Sequence, residues 1–173
     1  LGILRRLFGR KYIPAPELPN SHDGPVDQGE LARPGFYTGT ASVVIYDLVS
    51  LGHRLHDDVD WWADPKVELD EINQRNVLIA GLTFDGFYDL DITGEDIGAG
   101  CYSLHFPSGK VFIGPGEVMT GGGDEPDESC SGIFLNLLPG DYNVGIARSE
   151  DRLQVSLIAA APSDNNVIEP IRI

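Results

Sequence analysis

No signature of a catalytic centre stands in this chain. It has no Gly-x-Ser-x-Gly elbow, no His-Glu-x-x-His pair and no Cys/His arrangement that would activate a nucleophile, so it predicts no hydrolase or transferase activity. Paired carboxylates abound, but among 27 acidic residues they identify nothing. No apolar run approaches the ~18 residues needed to span a bilayer. Leu1 to Phe8 is broken by Arg5 and Arg6, which removes the apolar core of a signal peptide, and a cytoplasmic protein is expected. Cysteine is scarce: Cys101 and Cys130 are the two, without the CxxC or Cys/His spacing of a zinc site. Two reduced thiols are the expectation, a disulfide staying open if their strands are neighbours. A cofactor signature is also missing. The glycine run Gly121–Gly123 is followed by Asp124, Glu125, Asp127 and Glu128, where a phosphate-binding loop needs a Lys and a helix N-terminus.

Basic residues are few and unevenly placed. Of the 12, Arg5, Arg6, Arg10 and Lys11 occupy the first eleven positions, so residues 12–173 carry −19 against −15 for the whole chain. A field of that sign repels nucleic acid and anionic lipid and steers basic partners inward. The length of 173 residues suits one domain of ordinary size. Residues 1–11 set Leu1, Ile3, Leu4, Leu7 and Phe8 against the four cations; eleven residues make a marginal helix in water, so a frayed tail is expected, the alternative being a short basic amphipathic helix that rests on a membrane or a partner. Residues 12–34 are rich in Pro and Gly and read as a linker or extension. Residues 35–173 read as a single domain.

Strand signals dominate that domain. Thr40 to Leu48 is apolar on both faces, as in a central strand covered from both sides. Asp64-Pro65 is a helix start, with the Asp as N-cap and the Pro at the first helical position, and a short helix is expected near residues 65–75. Val77 to Phe84 and Phe87 to Ile92 flank Asp85-Gly86, which predicts a tight hairpin. Tyr102, Leu104 and Phe106 form a half-buried strand that turns at Pro107–Lys110 and returns through Val111–Ile113. Gly114 to Cys130 reads as a polar, mobile loop. Ile133–Leu138, Tyr142–Ile146 and Leu153–Leu157 read as three meander-like strands. The expected fold is an all-β antiparallel β-sandwich of about seven to nine strands with that one short helix.

The densest chemistry lies in Leu55 to Asp64. Asp57, Asp58, Asp60 and Asp64 surround Trp61 and Trp62, and the six make a candidate partner-binding patch: Trp anchors interfaces, and the carboxylates would engage Arg or Lys of a partner. Neighbouring side chains of an extended segment face opposite ways, so one ring is expected inside and the other exposed or in a groove. The same loop is a candidate for Ca²⁺, which collects oxygen ligands from acidic loops, or for carbohydrate; its spacing is not that of an EF-hand. His53 and His56, running into Asp57 and Asp58, are weighed as transition-metal ligands. None of these sets is compelling as a metal site.

The runs Gly39-Thr40-Ala41-Ser42-Val43-Val44-Ile45-Tyr46-Asp47, His56-Asp57-Asp58-Val59-Asp60-Trp61-Trp62 and Gly81-Leu82-Thr83-Phe84-Asp85-Gly86-Phe87-Tyr88 resemble a family of bacterial domains of unknown function, over about residues 36–160. Leu137-Leu138-Pro139-Gly140-Asp141-Tyr142-Asn143-Val144 is more faintly similar to the competence-associated inhibitors of a DNA-entry nuclease. What that second resemblance implies is a protein that neutralises a basic enzyme by presenting carboxylates where phosphates bind. The expected function is therefore non-enzymatic: an acidic binding protein, of immunity-protein or nuclease-inhibitor type, docking a basic protein partner. The alternatives are a β-sandwich binding Ca²⁺ or carbohydrate and a membrane-peripheral accessory protein.

Overall fold

A computed structural model describes residues 34–173; the basic segment 1–11 and, apart from Pro34, the linker 12–34 lie outside the described residues. The strands, in chain order, are β1 (Gly35–Thr38), β2 (Ser42–Asp47), β3 (Val77–Gly81), β4 (Gly86–Thr93), β5 (Cys101–Phe106), β6 (Lys110–Pro115), β7 (Ile133–Asn136), β8 (Gly140–Ser149), β9 (Arg152–Ala159) and β10 (Ile171–Arg172). They make two five-stranded sheets, β1-β4-β9-β8-β5 and β10-β3-β2-β6-β7. The β-sandwich is as expected, with ten described strands rather than seven to nine. It is mixed rather than purely antiparallel, because β4 runs parallel to β9 and β10 parallel to β3.

The apolar run expected as a central strand is one. Every residue of β2 is buried, with β3 on one side and β6 on the other. Tyr46 of β2, Phe112 of β6 and Phe134 of β7 stand in register in one rung, with ring centroids 6.0 and 5.1 Å apart. Phe112 fits because Gly132 lies against it. A Cβ there would come within 2.6 Å of the ring, and the φ of +133° already favours glycine. On the other sheet Tyr88, Leu104, Phe106 and Leu153 are fully buried. The helix α1 (Pro65–Asn73) starts where the sequence places it, the Asp64 side chain accepting from the Lys66 N–H at 2.9 Å.

Three connections differ from the sequence reading. Asp85-Gly86 is not a hairpin tip: β3 and β4 lie in different sheets, and the segment is a corner between them, β4 pairing instead with β1 and β9. Pro107–Lys110 is likewise a corner from β5 in one sheet to β6 in the other, and of the three meander-like strands only β8 and β9 form a hairpin, turning at Glu150-Asp151. Turn residues bend the chain in all these places, but in a sandwich the bent chain can cross to the opposite sheet as readily as pair with itself.

A fourth difference bears on function. The glycine-rich stretch 114–130, expected to be a mobile loop, is anchored at several points: Met119, Thr120, Gly121 and Pro126 are buried, while residues 122–125 and 127–129 are exposed. The Gly122 N–H donates to the Asp57 carbonyl and the Gly123 N–H to the Leu55 carbonyl, each at 2.7 Å. Without side chains these glycines bring their amides directly onto the neighbouring loop, and a Cβ on Gly121 would already lie 3.1 Å from the Trp61 ring.

Candidate functional site

Asp47, at the end of β2, begins the site. Its carboxylate is 0% exposed and accepts from the Val49 N–H at 3.0 Å, the Ser108 N–H at 2.9 Å, the Ser108 hydroxyl at 2.7 Å and the Gly109 N–H at 2.7 Å. It thereby caps the 3₁₀ turn Leu48–Arg54 and fixes that turn to the β5–β6 corner. The turn delivers Arg54. Its guanidinium donates to Glu71 of α1 through Nε at 2.9 Å and Nη2 at 2.7 Å and to Asp57 through Nη1 at 2.8 Å, and it lies 5.0 Å from the centre of the Trp61 ring. The hydrogen bond to Asp57 leads in holding the Arg54 pKa above its ordinary value.

Glu71 joins the loop to the helix. Its side chain is 1% exposed and also accepts from Asn76 at 2.7 Å and pairs with His53 Nε2 at 2.8 Å. Burial pushes its carboxyl up, but the hydrogen bonds from Asn76, His53 and Arg54 outweigh it and hold the pKa below the ordinary glutamate value. His53 therefore serves this carboxylate, and no group of three or more His, Cys, Asp or Glu among the described residues is placed to hold a metal ion.

Around this scaffold lies an open cleft of about 570 Å³ lined by His56, Asp57, Asp58, Asp60, Asp64 and Val67, with Arg54 and Trp61. Four of the four candidate carboxylates and one of the two tryptophans are thus brought together. Their states differ. Asp57 is held by Arg54 and Asp64 caps α1, whereas no hydrogen bond or ion pair from a described residue reaches the side chains of Asp58 and Asp60, which are exposed. Trp61 is buried, its Nε1 donating to the Thr120 carbonyl at 2.9 Å. Thr120 is bonded in turn to the Tyr46 hydroxyl at 3.1 Å through both its Oγ1 and its N–H, so the cleft floor is tied to the central strand. Burial pushes the Tyr46 hydroxyl up to about 12. Trp62 is half-buried and turned to a separate cavity. Neither indole is an exposed anchor; the exposed apolar side chain in this loop is Val59. Sequence reasoning missed Arg54 and Glu71, whose i, i+17 pairing has no local pattern.

Elsewhere, His105 Nδ1 pairs with Asp141 at 3.0 Å and Arg75 shares the same oxygen at 2.9 Å. No hydrogen bond from a described Ser or Cys side chain reaches that ring. Cys101 and Cys130 are free thiols. No helix among the described residues is long and apolar enough to cross a membrane.

A family model described as "Family of unknown function (DUF6386)" matches residues 33–173. The chain belongs to this family. The match agrees with the resemblance carried by Gly39–Asp47, His56–Trp62 and Gly81–Tyr88, and it extends past residues 36–160 at both ends. No curated relative matches the chain. Among solved structures the chain is similar to one described as "Crocagin biosynthetic gene J", at 13% identity and a TM-score of 0.43, covering 70% of this chain and 92% of that one. At that score the likeness carries nothing for fold or function.

The carboxyl groups fix the pH response of the family member. Like Glu71, Glu117 is pushed up by burial but held below the ordinary value by the Gly39 N–H at 2.6 Å and the Thr40 and Thr38 hydroxyls. A group depressed on folding stabilises the fold above its unfolded pKa and loses that contribution as pH falls through its folded one. Glu68 acts in the opposite sense, since burial raises its pKa and protonation favours the folded state. Urea midpoints are therefore expected to fall as pH drops below the ordinary glutamate value of 4.5, and Glu71→Gln should flatten that acid limb. An unchanged limb in the variant would contradict the assignment.

Proposed function

We propose that the protein is a non-enzymatic, cytoplasmic binding protein whose acidic cleft docks a basic protein, in the manner of an immunity protein or nuclease inhibitor. One observation carries the reading. The cation at the cleft floor, Arg54, is saturated by Asp57 and Glu71, while Asp58 and Asp60 stand exposed and unpaired among the described residues. The recess therefore presents uncompensated negative charge, in a chain of net charge −15. A basic surface that normally receives phosphates would find carboxylates there, and charge of that kind accelerates encounter and selects partners by sign.

The carboxylates, rather than the tryptophans, are the groups to test. Asp57 is excluded because its loss would also release Arg54. We expect the full chain, immobilised and challenged with lysate of its native host, to retain a protein of net positive charge, identified by mass spectrometry, and the Asp58→Asn/Asp60→Asn double variant to lose most of it. Retention of only acidic or neutral proteins, equal retention by the double variant, or no retention counts against the reading.

A further inference from the structure

A second cavity, of about 170 Å³, lies where the start of β2, the end of β3, α1 and β10 meet, with Trp62, Glu68, Gly81 and Arg172 in its wall. Three polar side chains there make no hydrogen bond with a described residue. Glu68 is 8% exposed, and no hydrogen bond from a described residue reaches its carboxyl. Arg172 lies across Gly81, where a Cβ would collide with its side chain. Arg172 is exposed and acts on Glu68 electrostatically, yet it forms no salt bridge with that carboxylate and its side chain donates no hydrogen bond to a described residue. The Nε1–H of Trp62 is buried and is the single buried side-chain nitrogen or oxygen among the described residues left without a partner.

Buried polar groups are ordinarily satisfied, and the orphan Trp62 donor, with the Glu68 carboxyl near it in the same wall, is the kind of exception that calls for a missing group. The groups around the cavity are of both kinds. Arg172 and Trp62 are donors, the former suited to a carboxylate by its planar fork; Glu68 is an acceptor when ionised. Glu68 and Arg172 both line the cavity without an ion pair between them, so its wall carries one group of each sign. The cavity is smaller than the roughly 300–1,000 Å³ of sites for drug-sized ligands. Thr40 and Ser42, also in its wall, are already bonded to each other at 2.8 Å, which leaves the charged ends to decide the occupant.

We propose that this cavity binds a small zwitterion, a free α-amino acid with a short side chain, its carboxylate on Arg172 and within reach of the Trp62 N–H and its ammonium on Glu68. The site is separate from the acidic cleft: Trp61 belongs to the one and Trp62 to the other, and either can stand without the other.

The indole N–H resonances supply the test. With ¹⁵N-labelled full chain, glycine and alanine added up to about 50 mM, enough to fill a millimolar site, should shift the Trp62 indole signal saturably. The Trp61 signal, already bonded to Thr120, should stay in place. Arg172→Gln and Glu68→Gln should each weaken the binding by about tenfold, since each removes one charge-assisted contact. Glu68→Gln keeps the size of the side chain and relieves a buried charge, so it leaves the fold in place and separates lost binding from unfolding. Acetate alone and methylammonium alone should bind more weakly than glycine. No shift with either amino acid overturns the proposal, as does unchanged affinity in both variants; acetate matching glycine makes the cavity an anion site and overturns it equally.

Discussion

Replacing Glu71 with Ala is expected to destabilise the fold by about 3–5 kcal/mol, the cost of removing one partner from a buried ion pair. The reason is its place. At 1% exposure its carboxylate accepts from Arg54 and Asn76 and pairs with His53, so the variant leaves a guanidinium, 23% exposed, without the buried one of its two counter-charges. Urea unfolding at neutral pH checks this. Glu71→Gln should lose less, because the amide oxygen still accepts one of these bonds. A loss within about 1 kcal/mol for the Ala variant, the level of an exposed pair, would mean that Arg54 is held by Asp57 alone.

Asp47→Ala is expected to cost about 3 kcal/mol, because the buried Gly109 N–H and the part-buried N–H groups of Val49 and Ser108 lose their acceptor and each donor left unsatisfied away from water costs about 1–3 kcal/mol. The effect should reach the cleft. Asp47 starts the turn that carries Arg54, so the variant should also weaken retention of the basic partner at temperatures where it is still folded. Full retention in a folded Asp47→Ala variant would show that the turn keeps its geometry without the cap.

What could be read from the sequence was what local chemistry decides. The unbroken apolar run around Val43–Tyr46 marks a strand buried on both faces, and Asp64-Pro65 marks a helix start, because N-cap and first-turn preferences act over three residues. Asp85-Gly86 was misleading for the same reason. It specifies a bend, and nothing local distinguishes a hairpin from a corner between sheets. β10, two residues long, has no signal of its own and exists because β3 offers an open parallel edge.

The candidate patch was legible as composition and not as geometry. Asp57, Asp58, Asp60 and Asp64 do share one cleft. Which of them is free depended on Arg54 and on α1, seventeen residues from Arg54 at Glu71. Gly121–Gly123 look like a flexible loop in sequence and are instead the means by which one loop's amides reach another's carbonyls. Adjacent tryptophans separated, as side chains of neighbouring residues do, one into the floor of the cleft and one into the wall of the second cavity.

The central claim is that uncompensated charge at Asp58 and Asp60 draws a basic protein into the cleft, and association kinetics with the retained partner test it most directly. Rim charges act chiefly on the rate of encounter and on its dependence on salt. The wild-type association rate constant should fall steeply as ionic strength rises past about 0.1 M, where exposed charges are screened beyond roughly 10 Å. In Asp58→Asn/Asp60→Asn it should start several-fold lower at low salt and respond less to added salt, with dissociation little changed. Identical rate constants and salt slopes in the two proteins would contradict the account.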